Sequence, residues 1–301
     1  LNGQYLGNHE GGGSAFEFDV SKVVVPGEND LVVRVINPPI NEELDGFRAG
    51  APLNQGKLPV GKAGWYYNYG GLWQDVDLIV TDPVYVDNVY IKPFPSRRRA
   101  QVNVTIVNTG KPTTQQLTVA VAPDGQAKAV LTATRKVKLG RGETIVSVPM
   151  TFAASGKNAM RWWSPDDPFL YRATATLDND ELSDRFGMRE FTIKGGRFVL
   201  NGKRITLKGY LQQEHYPRTL IFPHSKDFAR RELQLVKKSG CNFLRSHLKA
   251  PNPYWLDLCD EMGILIEGEP PIGWIGKSPQ TEGRCRTAIE GLLRRDRNHP
   301  S

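Results

Sequence analysis

Three short clusters in the C-terminal half of the chain carry side chains able to do acid–base or sugar chemistry. The first holds Gln212, Gln213, Glu214 and His215. The second holds Arg245, His247 and Lys249, and the third holds Glu267, Glu269 and Trp274. Each follows or ends a run with strand character. Carboxylates, a guanidinium, imidazoles and an indole converging on one face suit carbohydrate chemistry. Glycoside hydrolysis needs one carboxyl as proton donor and a second as nucleophile or base, with nearby donors for the sugar hydroxyls. Each residue also has a purely structural use. Arg245 can pair with Glu214 or Glu267 in the mouth of the fold, and His215 and His247 can be core or capping residues. Glu267 and Glu269, two positions apart, point the same way along a strand, so one can face the site while the other anchors a loop. A zinc site built from His215, His247 and a Glu lacks local ligand spacing.

These clusters need a scaffold that gathers three strand ends. After Gly195-Gly196 the pattern predicts a strand over Arg204–Tyr210, then a helix over Ser225–Ser239 with Ala229, Leu233 and Val236 on one face and Ser225 as N-cap. A strand over Cys241–His247 follows. The next helix opens at Asn252-Pro253, carries Trp255, Leu258, Cys259 and Met262 on one face, and closes at Gly263. A third strand, Ile264–Glu267, precedes a third helix with Cys285, Ala288, Ile289 and Leu292 along its stripe. Strand and helix alternating three times predicts a parallel α/β fold. With β blocks in front and no Gly-rich phosphate loop, a (β/α)8 TIM barrel fits better than a doubly wound sheet. Barrel enzymes keep their reactive groups at the carboxyl ends of the strands, where the three clusters fall.

Two β blocks come first. In residues 1–80, Ala15–Val20 and Leu31–Ile36 alternate apolar and polar around the turn Pro26–Asp30, and a long loop from Asn37 to Gly64 leads into an aromatic cluster, Trp65–Trp73. Those rings suit sugar faces, or packing of the loop onto its own sheet. Residues 81–192 carry strand-like runs at Val84–Ile91, Gln101–Val107, Gln116–Val121, Thr144–Phe152, Tyr171–Leu177 and Arg185–Ile193. Their regular spacing predicts an immunoglobulin-like sandwich without a catalytic constellation.

Composition excludes several classes. The 301 residues are 39% hydrophobic and 24% charged, which is ordinary for a globular protein of two or three domains and not for a disordered or disulfide-scaffold chain. No apolar run approaches the ~20 residues of a membrane span. The net charge of +7 is scattered and forms no stripe, so no nucleic-acid partner is expected. Cys241, Cys259 and Cys285 show no Cys-x-x-Cys spacing and read as buried free thiols.

The order of motifs resembles glycoside hydrolase family 2, the β-galactosidase and β-glucuronidase family, over nearly the whole chain. Leu1-Asn2-Gly3-Gln4 with Asn8-His9-Glu10-Gly11-Gly12, the stretch Pro26–Val35 (PGENDLVVRV), Gly70–Val76 (GGLWQDV), Trp163–Tyr171 (WSPDDPFLY), and Phe198–Lys203 with Leu207-Lys208-Gly209 are each similar to a family stretch in the family's order. Gln74 stands where Arg is usual. In the barrel, Gln213-Glu214-His215-Tyr216-Pro217 resembles the family's HEHHP with a glutamine leading, and Arg245-Ser246-His247 is one residue shorter than its Arg-to-His spacing. Glu267-Gly268-Glu269-Pro270 has Gly in the second position of the usual acidic pair.

The resemblance implies residues 1–80 as the C-terminal part of a sugar-binding jelly roll, 81–192 as an immunoglobulin-like β-sandwich, and 193–301 as the first three βα units of a catalytic (β/α)8 barrel. It implies a retaining β-glycosidase acting through two glutamates, with Arg245 holding the nucleophile carboxylate and His247 touching substrate. It places both catalytic glutamates after Ser301, so the chain is expected to be a fragment without hydrolase activity of its own. It implies a β-glycoside as substrate and no cofactor, and leaves a mono- or divalent metal in a longer protein, a homo-oligomer, the compartment and the particular sugar open. The competing expectation is a non-catalytic carbohydrate-binding protein that uses its β domains.

Overall fold

The computed structural model describes residues 1–37, 44, 45, 52, 53, 58, 61, 70–273 and 275–301. Trp65–Tyr69 and Trp274 lie outside them.

The most regular region begins at Val84. Strands β3 (Val84–Phe94), β4 (Arg99–Asn108) and β7 (Gly142–Thr151) form one antiparallel sheet. A second contains β6 (Leu131–Leu139), β5 (Thr113–Pro123), β8 (Tyr171–Thr176) and β9 (Glu181–Phe186), in that order. Alternate side chains point inward, as a two-residue period requires. Val102, Val104, Ile106, Leu117, Val119 and Val121 are wholly excluded from solvent between the sheets. Tyr171 stacks at 5.6 Å on Phe186, and its hydroxyl accepts the Arg161 N–H at 2.9 Å, so no polar atom is stranded in the aromatic part of the core. This is the immunoglobulin-like sandwich expected from the strand spacing. Strand β6 was not expected. Its outward positions are Thr, Arg and Lys, and only Val137 and Leu139 are buried, so it shows little apolar signal.

Residues 1–37 and 70–83 depart from expectation at the level of strands. Ala15–Val20 and Leu31–Ile36 alternate, but no ladder forms along them. Alternation makes a strand only where a neighbour supplies backbone partners. Among the described residues before Val84, only the two-residue strands β1 (Leu44–Asp45) and β2 (Pro52–Leu53) pair. Val32 and Val80 are accordingly 84% and 86% exposed. Side chain–backbone bonds hold the turn instead: Asn2 Nδ2 donates to the Val23 carbonyl at 3.0 Å, and Asn2 Oδ1 accepts the Asp30 N–H at 2.9 Å.

A small antiparallel sheet of β10 (Phe191–Lys194), β11 (Arg197–Leu200) and β12 (Lys203–Arg204) leads into three parallel strands, β13 (Gly209–Gln212), β14 (Phe243–Ser246) and β15 (Leu265–Gly268). Helices α1 (Lys226–Lys238) and α2 (Pro253–Met262) connect the parallel strands, and α3 (Thr281–Asp296) follows. The caps are those read from the sequence. Ser225 Oγ accepts the Phe228 N–H at 3.1 Å, and Asn252 caps α2 ahead of Pro253. Gly263 ends α2 at φ +68°, against the Pro165 backbone, where a Cβ has no room.

Leu244 packs with Leu233 of α1 and with Trp255 and Leu258 of α2. Period-two alternation then turns Arg245 away from the helices, toward the lumen side of the sheet. On α3 the buried positions are Arg284, Ala288 and Leu292, whereas Ile289 is 40% exposed and Cys285 half-buried. Arg284 enters the interior because Glu10 meets it there, which a purely apolar stripe does not anticipate. Of the three free cysteines, only Cys259 is fully buried.

Candidate active-site mouth

In the parallel register Leu211 lies beside Arg245, and Arg245 beside Glu267. This adjacency brings the second and third clusters together. Arg245 Nε lies 3.7 Å from Glu267 Oε1 and donates a closer bond to Glu269 Oε1. Glu269 is anchored at its other oxygen, which accepts the Leu248 N–H at 2.6 Å, and its side chain is 13% exposed. Glu267 is 55% exposed at the side chain. Of the two carboxylates, Glu269 is therefore the loop anchor and Glu267 the one open to a ligand. His247 follows β14, half-buried, its N–H on the Gln212 carbonyl at 3.1 Å.

Glu214 is placed differently. It is 2% exposed and pairs with Lys249, not with Arg245. The Lys249 ammonium also donates to the Ile221 carbonyl, and Ser246 Oγ bonds to Glu214 Oε1 at 3.4 Å and to the Lys249 carbonyl at 3.0 Å. Burial pushes the Lys249 ammonium pKa down, and the Glu214 charge opposes that shift. His215, which follows Glu214 in the sequence, is half-buried. Sequence reasoning selected Glu214 and Lys249 but not their partnership, because 35 residues separate them. It also missed Ser246 and the Leu248 N–H; a backbone donor leaves no residue-type signal.

Backbone strain gathers in the same loops. Six non-glycine residues among those described have left-handed φ, and three of them, Glu214 (+47°), Leu220 (+65°) and Leu248 (+49°), border this mouth. Such conformations cost on the order of 1 kcal/mol or more each and persist where surrounding contacts enforce them, often at functional sites. No group of three or more His, Cys, Asp or Glu suited to a metal ion occurs among the described residues.

The arrangement is a guanidinium between two carboxylates, an imidazole at the end of the same strand, and a buried ion pair beneath, all at the carboxyl ends of parallel strands. Two family models match in tandem: "Glycosyl hydrolases family 2" over residues 84–189, and "Glycosyl hydrolases family 2, TIM barrel domain" over 191–301. The chain belongs to glycosyl hydrolases family 2. A putative β-glucuronidase of Formosa agariphila is 30% identical to it over 316 residues, and a β-galactosidase of Alteromonas mediterranea 24% over 321. Each comparison covers 100% of this chain and 28% of the relative, so the chain spans little more than a quarter of either protein. The crystal structure of a glycosyl hydrolase family 2 member from Bacteroides cellulosilyticus superposes with a TM-score of 0.62 at 25% identity, covering 73% of this chain and 31% of that one. The sandwich and the three βα units are thus the family 2 domains that the sequence motifs implied.

Proposed function

We propose that this chain is part of a β-glycosidase, in which it supplies one side of the sugar pocket. The observation that carries the reading is Arg245, held between Glu267 and Glu269 at the carboxyl end of the second parallel strand of a family 2 barrel domain. Relatives named β-glucuronidase and β-galactosidase support a β-glycoside as substrate, and favour hydrolysis over simple carbohydrate binding. In this reading Arg245 orients a carboxylate against the anomeric carbon, and His247 and Glu267 hydrogen-bond sugar hydroxyls. Glu214 and Lys249 support the wall behind them.

Retention by double displacement calls for a nucleophilic carboxylate and an acid/base carboxyl about 5–5.5 Å apart. The family resemblance assigns both roles to glutamates other than those of this mouth; Glu214 is committed to Lys249, and Glu269 to Arg245 and the Leu248 N–H. Nitrophenyl β-D-glucuronide and β-D-galactoside test this. The gene's complete product releases nitrophenol from at least one, and the 301-residue chain releases none above buffer. Inactivity of the complete product toward both overturns the glycosidase reading. Turnover by the chain alone overturns the placement of the catalytic pair.

A further inference from the structure

The buried pair beneath the mouth is also reached from the segment that precedes the sandwich. The ring of Trp73 lies 5.5 Å from the Lys249 ammonium. Its Nε1–H donates to the Gly12 carbonyl at 2.7 Å, which fixes the ring's orientation. The strand-free segment around Gly12 is itself clamped to the third βα unit. Glu10 pairs at 2.7 Å with Arg284, whose side chain is only 6% exposed. Gly13 lies against Pro271, and Gly61 lies so close to the Leu248 backbone that neither site admits a Cβ without movement.

Lys249 spends two of its three N–H donors on Glu214 and Ile221, the two ends of the loop that walls the first strand end. That loop contains the left-handed residues Glu214 and Leu220, so it needs holding. An aromatic face toward a desolvated ammonium stabilises the charged form that makes both bonds.

We infer that Trp73 is a positioning residue for the sugar site: its ring, laid toward Lys249, holds the lysine that staples both ends of loop 214–221. The shape of the mouth therefore depends on a residue from outside the barrel. What the mouth binds rests on the β-glycosidase reading, whereas the coupling between Trp73 and the loop does not.

Amide hydrogen exchange on the 301-residue chain without sugar tests it, comparing the peptide 213–223 with the sandwich peptide 99–108 as internal reference. Trp73→Ala is expected to speed exchange in 213–223 by about fivefold, with 99–108 unchanged. Trp73→Phe, which keeps a ring but loses the bond to Gly12, should restore protection to within about twofold, and Trp73→Leu, which keeps bulk without a π face, should not. Wild-type exchange of 213–223 in Trp73→Ala overturns the inference, as does protection by Leu equal to that by Phe. Should Trp73→Ala unprotect 99–108 as well, the Phe–Leu comparison decides. No glycoside enters the measurement, so its failure leaves the glycosidase reading standing, and the reverse also holds.

Discussion

The sandwich and the barrel mouth are held together by different physics. In the sandwich, β4 and β7 pair without interruption over ten positions, Arg99 to Asn108 against Thr151 to Gly142, and the interior is aliphatic and aromatic apart from Thr105 and Asn108 of β4. At the mouth the strands are four residues long, and the buried set includes Glu214, Ser246 and Lys249. Apolar packing accepts any side chain of about the right volume, whereas a buried charge needs one particular partner. Substitution in the sandwich should therefore cost in proportion to the volume removed. At the mouth it should cost according to what is left unpaired. A sandwich core can be built the first way; holding Arg245, Glu267 and Glu269 together takes the second.

The largest effect is expected at Lys249. Lys249→Met strands the Glu214 carboxylate and should remove about 3–5 kcal/mol, while the double variant Lys249→Met/Glu214→Leu recovers most of it. Denaturant unfolding of both measures this, and a double variant no better than the single would break the contrast. In the sandwich, Ile106→Ala should cost about 3 kcal/mol through cavity formation, with no second substitution that rescues it by restoring a pair.

Smaller again is the pH dependence of the seam between the two regions. Ser301 N–H donates to buried Asp260 at 2.9 Å, and His299 Nδ1 meets the same carboxylate at 2.6 Å, while Asn298 reaches across to accept the Ile91 N–H at 2.9 Å. Burial disfavours the His299 imidazolium, but the hydrogen bond and charge of Asp260, with Asp257 and Asp296 adding to it, outweigh burial and raise the pKa above 6.5. A raised folded-state pKa gives stability that is complete below the unfolded value and is lost as pH rises through the folded one. The melting temperature of the wild type should thus fall from pH 6 toward alkaline pH more than that of His299→Gln; parallel curves would contradict it. The smallest effect belongs to the Arg161–Asp167 pair, with side chains 54% and 60% exposed. Asp167→Asn should change stability by about 0.5 kcal/mol or less, checked by denaturant midpoint.

Much of this contrast was legible in the sequence. The helices of the first two βα units declared themselves through Ser225, Asn252-Pro253 and Gly263, because capping is local chemistry. Most sandwich strands showed their period-two burial. What stayed hidden depends on distant pairing. Leu131–Leu139 is a strand because it hydrogen-bonds to β5, not because it is apolar. Arg284 occupies an interior helix position only because Glu10, 274 residues away, is there to meet it. At the mouth, residue types identified Arg245, Glu267 and Glu269, yet only the parallel register showed that Arg245 stands beside Glu267 while Glu214 turns to Lys249.

In the proposed β-glycosidase the sugar faces the barrel mouth at Arg245. That placement is tested most directly by titrating the 15N-labelled chain with methyl β-D-glucuronide and methyl β-D-galactoside. Saturable shifts at the amides of Arg245, His247 and Glu267–Glu269 for at least one glycoside, abolished in Arg245→Ala, are the predicted result. Shifts confined to sandwich strands, or shifts that survive Arg245→Ala unchanged, would contradict it.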